Sequence, residues 1–186
     1  AGARVRVIAA NIDDSVMACL PPSVEVTRVG SAQQMREATL AQVRGADALV
    51  MTAAVADFRP EATHASKMKK DPSTSDAPTL RLVRNPDILS EVGHSVTRPP
   101  LVVGFAAETG TDEQILAYGA DKAARKGADY IALNRVGAGV GFGDVPNDIR
   151  LLDASGAIVG RYTGSKDEVA AGLIGQIAAF LDSLER

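Results

Sequence analysis

A short apolar run, Ala46–Ala54, constrains the fold of this chain more than any other stretch. It has the length of a strand and is too short for an exposed helix, and its composition is typical of a strand buried on both faces of a parallel sheet. The run ends near the acidic residue Asp57, and the pair Arg59–Pro60 then breaks it. Ligands of open α/β sheets bind beyond the carboxyl ends of the strands, so Asp57 stands where a site is expected.

Strand-like and helix-like segments alternate along the rest of the chain. Further strands are predicted over Arg4–Ala10, Val24–Val29, Leu101–Ala107 and Asp129–Leu133, and helices over Ala32–Arg44, from Thr111 to Gly127, and after the capping box Ser165–Glu168. Asn85 is predicted to cap a further helix that starts at Pro86. This alternation predicts a single α/β domain with a doubly wound, mostly parallel sheet.

Two local patterns add detail to this fold. The residues after Pro60 are polar and rich in lysine, which predicts a long flap over the site, with Thr79–Val83 as one arm of a hairpin. The turn sequence Asp153–Gly156 lies between two strand-like segments, which predicts a C-terminal β-hairpin before the last helix.

Composition excludes several classes of function. The net charge is −3, so the overall charge does not favour binding to nucleic acid or to an anionic membrane. The sequence has no tryptophan and therefore offers few stacking surfaces for single-stranded nucleic acid. One cysteine, Cys19, and two histidines, His64 and His94, make a dedicated zinc site improbable. No signal peptide or membrane-spanning run is evident, so we expect a cytoplasmic protein.

Basic side chains form two candidate phosphate sites. Lys67, Lys69 and Lys70 cluster in the flap, where they would clamp an anion or simply form a solvated loop. Lys122 and Lys126 lie at i and i+4 on one helix face, and an anion between them would relieve their repulsion. The alternative for this second pair is that cations at the end of a helix complement its dipole.

Three residues in or after the predicted strands each have two possible roles. Asp57 and Glu108 each follow an apolar strand, where a carboxylate would ligate magnesium or accept a hydrogen bond from a ribose hydroxyl. Phe105 interrupts an aliphatic run, and it would be either a core residue or a surface on which a base stacks.

The alternating glycines from Gly137 to Gly143 suggest a dinucleotide-binding reductase only superficially. They follow a predicted strand but lead to Pro146 and another strand, whereas a dinucleotide fingerprint leads into a helix. We therefore interpret the run as a loop, and a short-chain NAD-dependent reductase remains a minor alternative.

Five motifs in order resemble the phosphopantothenoylcysteine synthetase family, the ligase half of a bifunctional flavoprotein of coenzyme A biosynthesis. They are AAVADFRP (53–60), KMKK (67–70), NPDIL (85–89), GFAAET (104–109) and KGADYIALN (126–134). The resemblance covers essentially the whole chain. It implies a Rossmann-like fold, a homodimer, and a reaction that joins 4′-phosphopantothenate to cysteine with CTP and Mg²⁺ through an acyl-cytidylate.

The resemblance also implies roles for individual residues. Lys67 corresponds to the catalytic lysine, and Asp57 to the nucleotide-binding aspartate. The implied nucleotide site comprises Met51, Thr52, Ala53, Asp57, Lys67, Pro86, Asp87, Ile88, Leu89, Phe105, Lys122 and Lys126. Asn134 falls within a motif without an assigned role, and no metal ligand is assigned.

One departure from the family pattern concerns the amino terminus. The family's first strand, its GGTxEP-like phosphate loop and an N-x-S-S-G-like helix start are not found here, so residue 1 is expected just before the family's second strand. This leaves a non-catalytic nucleotide-binding domain as an alternative function. The resemblance also suggests a decarboxylase domain upstream, and FMN would belong only to that domain.

Overall fold

A computed structural model describes residues 2–62, 66, 77, 79–136 and 147–184. The strands are β1 Arg6–Ala10, β2 Glu25–Val29, β3 Ala48–Met51, β4 Phe58–Pro60, β5 Leu82–Arg84, β6 Leu101–Glu108, β7 Tyr130–Arg135, β8 Asn147–Asp153 and β9 Ile158–Gly164. The helices are α1 Asp14–Met17, α2 Ala32–Gln42, α3 Ile88–Gly93, α4 Asp112–Lys126 and α5 Lys166–Leu184. None of the helices in the described ranges combines the length and apolar character that a membrane crossing requires.

The strands form one large sheet and two small ones. The five-stranded sheet has the order β3-β6-β7-β8-β9, parallel from β3 to β7 and antiparallel at β8 and β9. β1 and β2 form a separate parallel pair, and β4 pairs with β5 in an antiparallel arm. The predicted α/β fold, with its parallel core and C-terminal hairpin and helix, is confirmed.

Two hydrophobic cores lie on the two faces of the large sheet. One core contains Val102, Ile131 and Leu133 of the sheet together with residues of α2, α3 and α4, and we call this the α4 face. The other contains Leu101, Val103, Tyr130 and Ala132 with residues of α5, and we call this the α5 face. Side chains alternate between faces along each strand, so the position of a residue in β6 or β7 decides on which face its side chain lies.

Capping side chains fix the starts of α2, α4 and α5, as the sequence predicts. Ser31 accepts from the Gln34 N–H at the start of α2, and Thr111 and Gln114 form a capping box at the start of α4. Ser165 and Glu168 exchange the same pair of hydrogen bonds at the start of α5. α4 ends at Gly127, whose φ of 60° is the left-handed conformation that glycine adopts most readily.

The structure differs from the sequence analysis at three places. β3 is shorter than the predicted strand 46–54, because the chain leaves the sheet after Met51 and forms a loop to Asp57. Helix α1 has no counterpart among the predicted elements. Asn85 does not cap α3; the cap is Asp87, whose carboxylate accepts from the Ser90 N–H at 3.1 Å.

Most of the predicted flap, and the glycine run, lie outside the described residues. The described part of the flap region includes the β4–β5 arm, in which Arg59 pairs with Val83, so the hairpin predicted from Thr79–Val83 is present with shifted bounds. After β7 the next described element is strand β8.

Candidate functional site

A loop at the carboxyl end of β3 carries the first group of predicted site residues. Met51 packs against the core on the α4 face, whereas Thr52, Ala53 and Asp57 are exposed. These three residues therefore lie where a ligand at the sheet's carboxyl edge would meet them.

Asn85 ties this loop to the segment that leads into α3. Its backbone N–H donates to the Asp57 carbonyl at 2.8 Å, and its side-chain amide donates to the Ala56 carbonyl at 2.8 Å. Arg59 donates to the Asn85 side-chain oxygen at 3.0 Å. Asn85 thus fixes the backbone of Asp57 beside Pro86, a role that the sequence did not reveal because Asn85 looked like a helix cap.

Asp87 and Lys126 form an ion pair between the start of α3 and the end of α4. The Lys126 side chain is only 17% exposed, whereas that of Asp87 is 49% exposed. Burial alone would raise the pKa of the Asp87 carboxyl, but hydrogen bonds from the Lys126 ammonium and the Ser90 N–H outweigh it. The pKa of Asp87 therefore lies below its ordinary value, and the carboxylate is ionised at neutral pH.

The lowered pKa of Asp87 predicts a pH-dependent contribution to stability. The contribution is fully present above the ordinary aspartate pKa of about 3.9 and is lost as the pH falls through the lower folded-state pKa. Asp87→Asn keeps a good helix cap but removes the charge, so it should cost about 0.5 kcal/mol at pH 7, because solvent screens a half-exposed carboxylate. Urea unfolding of both proteins from pH 7 to pH 2.5, at roughly half-unit steps around that pKa, should show this difference disappearing. A difference that persists in acid would contradict the assignment.

Lys122 is paired in the same way with the acidic residue at the end of β6. Its Nζ lies 3.7 Å from the Glu108 carboxylate, and both side chains are about one-quarter exposed. Each of the two predicted phosphate-binding lysines therefore already faces a carboxylate within the chain. The repulsion between them is relieved internally, so it does not by itself require a bound anion.

Ile88 and Leu89 are core residues. They are 2% and 8% exposed, and Leu89 packs directly over Gly104 of β6. Their side chains anchor α3 to the sheet, so any contact that they make with a ligand comes from their backbone. Pro86, which precedes them, is half-buried.

Phe105 lies on the opposite face of the sheet from the lysines. It packs at the rim of the α5-face core, whereas Glu108 meets Lys122 on the α4 face. The structure therefore divides the predicted site residues between the two faces of β6.

Asn134 is a candidate site residue to which sequence analysis gave no role. It pairs with Ala107 in the β6–β7 ladder and, by alternation from Tyr130 and Ala132, faces the same side as Phe105. Its side-chain oxygen is buried and has no hydrogen-bond partner among the described residues. Buried acceptors are rarely left unpaired, so this oxygen calls for a donor from a ligand, a water or a part of the chain beyond the described ranges.

The predicted catalytic Lys67, together with Lys69 and Lys70, lies outside the described residues. Within the described ranges no group of three or more His, Cys, Asp or Glu side chains could hold a metal ion. Magnesium commonly keeps several waters and binds through one or two carboxylates plus substrate phosphates. Asp57, exposed in the loop that follows β3, fits that kind of site, and so does Glu108 at the end of β6.

Comparisons with known proteins agree with this architecture. Curated coenzyme A biosynthesis bifunctional proteins CoaBC are similar to the chain. The Mycolicibacterium smegmatis protein is 39% identical over 98% of this chain and 44% of its own length. The Mycobacterium tuberculosis H37Rv protein is 40% identical over 87% of this chain and 40% of its own length. The chain thus spans less than half the length of these relatives.

Solved structures show the same fold. The crystal structure of the C-terminal domain of a CoaBC protein superimposes with a TM-score of 0.69 at 26% identity, covering 98% of this chain and 76% of that one. A DNA/pantothenate metabolism flavoprotein from Streptococcus pneumoniae superimposes with a TM-score of 0.70 over 96% of this chain and 82% of that one, and its 18% identity shows the fold alone. A family model, the DNA/pantothenate metabolism flavoprotein C-terminal domain, matches residues 1–181. The chain belongs to this family.

Proposed function

We propose that the chain is the ligase domain that joins 4′-phosphopantothenate to cysteine at the expense of CTP in coenzyme A biosynthesis. The observation that carries the proposal is the Asp87–Lys126 ion pair. Together with Asn85, it gathers the loop to Asp57, the start of α3 and the lysines of α4 at one side of the sheet. Family membership supports the same reaction.

The proposed reaction has two steps. A carboxylate oxygen of phosphopantothenate attacks the α-phosphorus of CTP; an O–P bond forms, the bond to the β-phosphate breaks, and pyrophosphate leaves. The cysteine amine then attacks the acyl carbon, loses a proton, and expels CMP as the amide bond forms. Because such steps depend on positioning and on neutralising charge, cationic side chains around the phosphates are what the reaction needs.

The described residues have separate roles in this proposal. Lys122 and Lys126 bind phosphates on the α4 face, and the loop from Met51 through Thr52 and Ala53 to Asp57 lines the pocket. Backbone groups from Pro86 to Leu89 border the nucleotide. The exposed carboxylate of Asp57 would hold Mg²⁺ or a ribose hydroxyl, and Mg²⁺, when bound, would supply charge neutralisation on the phosphates.

The base would bind on the α5 side of β6. Phe105 lies there at the rim of the α5-face core, and the Asn134 oxygen, which has no partner among the described residues, is an acceptor suited to an exocyclic amine. Cytosine carries such an amine, whereas uracil presents an oxygen at the same position. The Asn134 acceptor therefore supports CTP over UTP. Asn134→Leu removes this acceptor, whereas Asn134→Asp preserves one.

The test of the proposed function is a pyrophosphate-release assay on the intact gene product. The protein is incubated with 4′-phosphopantothenate, cysteine, Mg²⁺ and each of CTP, ATP, GTP and UTP. We expect pyrophosphate and CMP in equal amounts, with CTP preferred and release dependent on phosphopantothenate. Absence of release with every nucleotide would reject the ligase, and calorimetry would then separate a non-catalytic CTP-binding domain from a chain without nucleotide affinity.

We also propose that the chain works as a cytoplasmic homodimer, joined through the β4–β5 arm. Phe58, Leu80 and Leu82 each expose more than half of their apolar side chains on or beside this arm. Grouped apolar side chains of this kind mark association surfaces, and a second copy of the chain offers the same patch. An upstream decarboxylase domain that holds FMN would make the assembly larger.

Leu82→Asp is expected to weaken this dimer. A charge placed in the contact must be desolvated against a partner that carries the same charge, so the dimer dissociation constant should rise at least tenfold. Analytical ultracentrifugation measures this change. Val96→Asp is the matched control, because Val96 is a solitary, fully exposed apolar residue. A monomeric wild type, or equal effects of the two substitutions, would contradict the proposed interface.

A further inference from the structure

We propose that Asp87 and Glu108 are displaceable counter-ions, which hold Lys126 and Lys122 in place until the phosphate groups of the nucleotide replace them. The inference rests on the proposed function, because it assigns a regulating role to carboxylates of the same site. It concerns four side chains: two on α4, one at the start of α3 and one at the end of β6.

The two lysines are held on one side of α4 by contacts with different elements. Lys126 is the more buried, and its ammonium reaches the cap of α3. Lys122 lies one turn earlier and reaches the end of β6. Without the carboxylates, two partly buried ammonium groups would face each other at i and i+4, which is unfavourable in an empty site. The carboxylates therefore keep the site assembled before a ligand arrives.

Neither carboxylate is bound so firmly that it would block an anion. Glu108 lies 3.7 Å from Lys122, which is beyond ordinary hydrogen-bond distance. Asp87 is half-exposed and has a second partner, the Ser90 N–H, which it would keep after releasing Lys126. Partly buried pairs that solvent still reaches, such as these two, alter an equilibrium by about fivefold, whereas a diphosphate presents several charged oxygens to the two ammonium groups.

The experiment is a calorimetric titration of inorganic pyrophosphate into the wild type, Asp87→Asn, Glu108→Gln and the double variant. Each single substitution removes a competing charge and keeps the shape, so we expect the dissociation constant to fall about two- to fivefold. The double variant should show roughly the product of the two changes. Adding Lys126→Met to Asp87→Asn should abolish the gain.

Asp121→Asn is the matched control for overall charge. Asp121 lies on α4, the helix that carries both lysines, but its carboxylate is well exposed and pairs with Arg125 at 2.6 Å. Its removal changes the net charge equally but frees Arg125 and neither lysine, so any gain in pyrophosphate affinity should be smaller than that of Asp87→Asn or Glu108→Gln.

Two outcomes would overturn the inference. One is an affinity that is unchanged or weaker in both carboxylate variants, which would mean that the pairs are structural or that the carboxylates help to bind the ligand. The other is an equal gain from Asp121→Asn, which would reduce the effect to net charge. The pyrophosphate-release assay is separate: tightening without ligase turnover would reject the proposed reaction and leave the counter-ion role intact.

Discussion

Replacing Lys67 with alanine is expected to lower ligase turnover by about 10²–10³-fold, the usual effect of removing one group that stabilises transition-state charge. The expectation comes from the position of Lys67 at the head of the KMKK motif. Its segment is polar in sequence, so we expect the thermal midpoint to move little. Steady-state kinetics and thermal unfolding of the same samples measure the two effects.

The matched control for this substitution is Lys166→Ala. Lys166 is the exposed first residue of α5, so this change removes the same charge far along the chain from every proposed site residue. It should leave turnover within about twofold, since isolated surface substitutions have small effects. If Lys67→Ala instead unfolds the protein while activity per folded molecule is intact, the assignment of Lys67 is wrong.

Gly93→Ala is expected to destabilise the protein by about 3 kcal/mol, near the upper end for overpacking. Gly93 ends α3 where it meets the end of α4, and a β-carbon there would lie 2.8 Å from the Gly127 carbonyl oxygen and closer still to that of Lys126. Both obstacles are backbone, so no side-chain rotation relieves the clash. Urea unfolding measures the loss, and because Lys126 would shift with the backbone, pyrophosphate affinity should fall as well.

Gly175→Ala tests whether that loss is due to close packing. Gly175 lies in the middle of α5 on its exposed face, and a β-carbon there meets nothing within 4 Å. Alanine should therefore stabilise the protein by about 0.5–1 kcal/mol, because it favours the helix and restricts the unfolded chain. Equal destabilisation by both substitutions would contradict the packing argument.

Local sequence signals predict much of the fold. Strand-length apolar runs give the parallel core, and Ser31, Thr111 and the Ser165–Glu168 box give the helix starts, because each cap depends only on residues within one turn. The turn at Asp153 is local in the same sense, since its carboxylate accepts from the Ser155 and Ala157 N–H groups. These signals survive folding because no distant partner competes for them.

Tertiary partners decide the remaining details. Asn85 and Asp87 are both residue types that cap helices well. Because the Asn85 side chain bonds to the loop that leads to Asp57, Asp87 becomes the cap of α3. The carboxylates opposite Lys122 and Lys126 come from other elements, so spacing along α4 could not reveal them. Likewise, β6 is apolar on both faces, so its sequence does not show on which face Phe105 lies.

The parallel pair β1–β2 has a consequence for how the molecule opens. It hydrogen-bonds to no other strand in the described part of the chain, and α2 connects it to the remainder. The connection includes an Arg6 bond to the Gln42 carbonyl at 2.7 Å and an Arg36 bond to Glu91 of α3 at 2.6 Å. Because β1 and β2 contact the rest of the described chain chiefly through α2, they should unfold locally at a lower free energy than the strands around β6. Backbone amides of β1 and β2 should therefore exchange with solvent deuterium well before those of β6 and β7, and proteases should cut first on the amino-terminal side of Ala48.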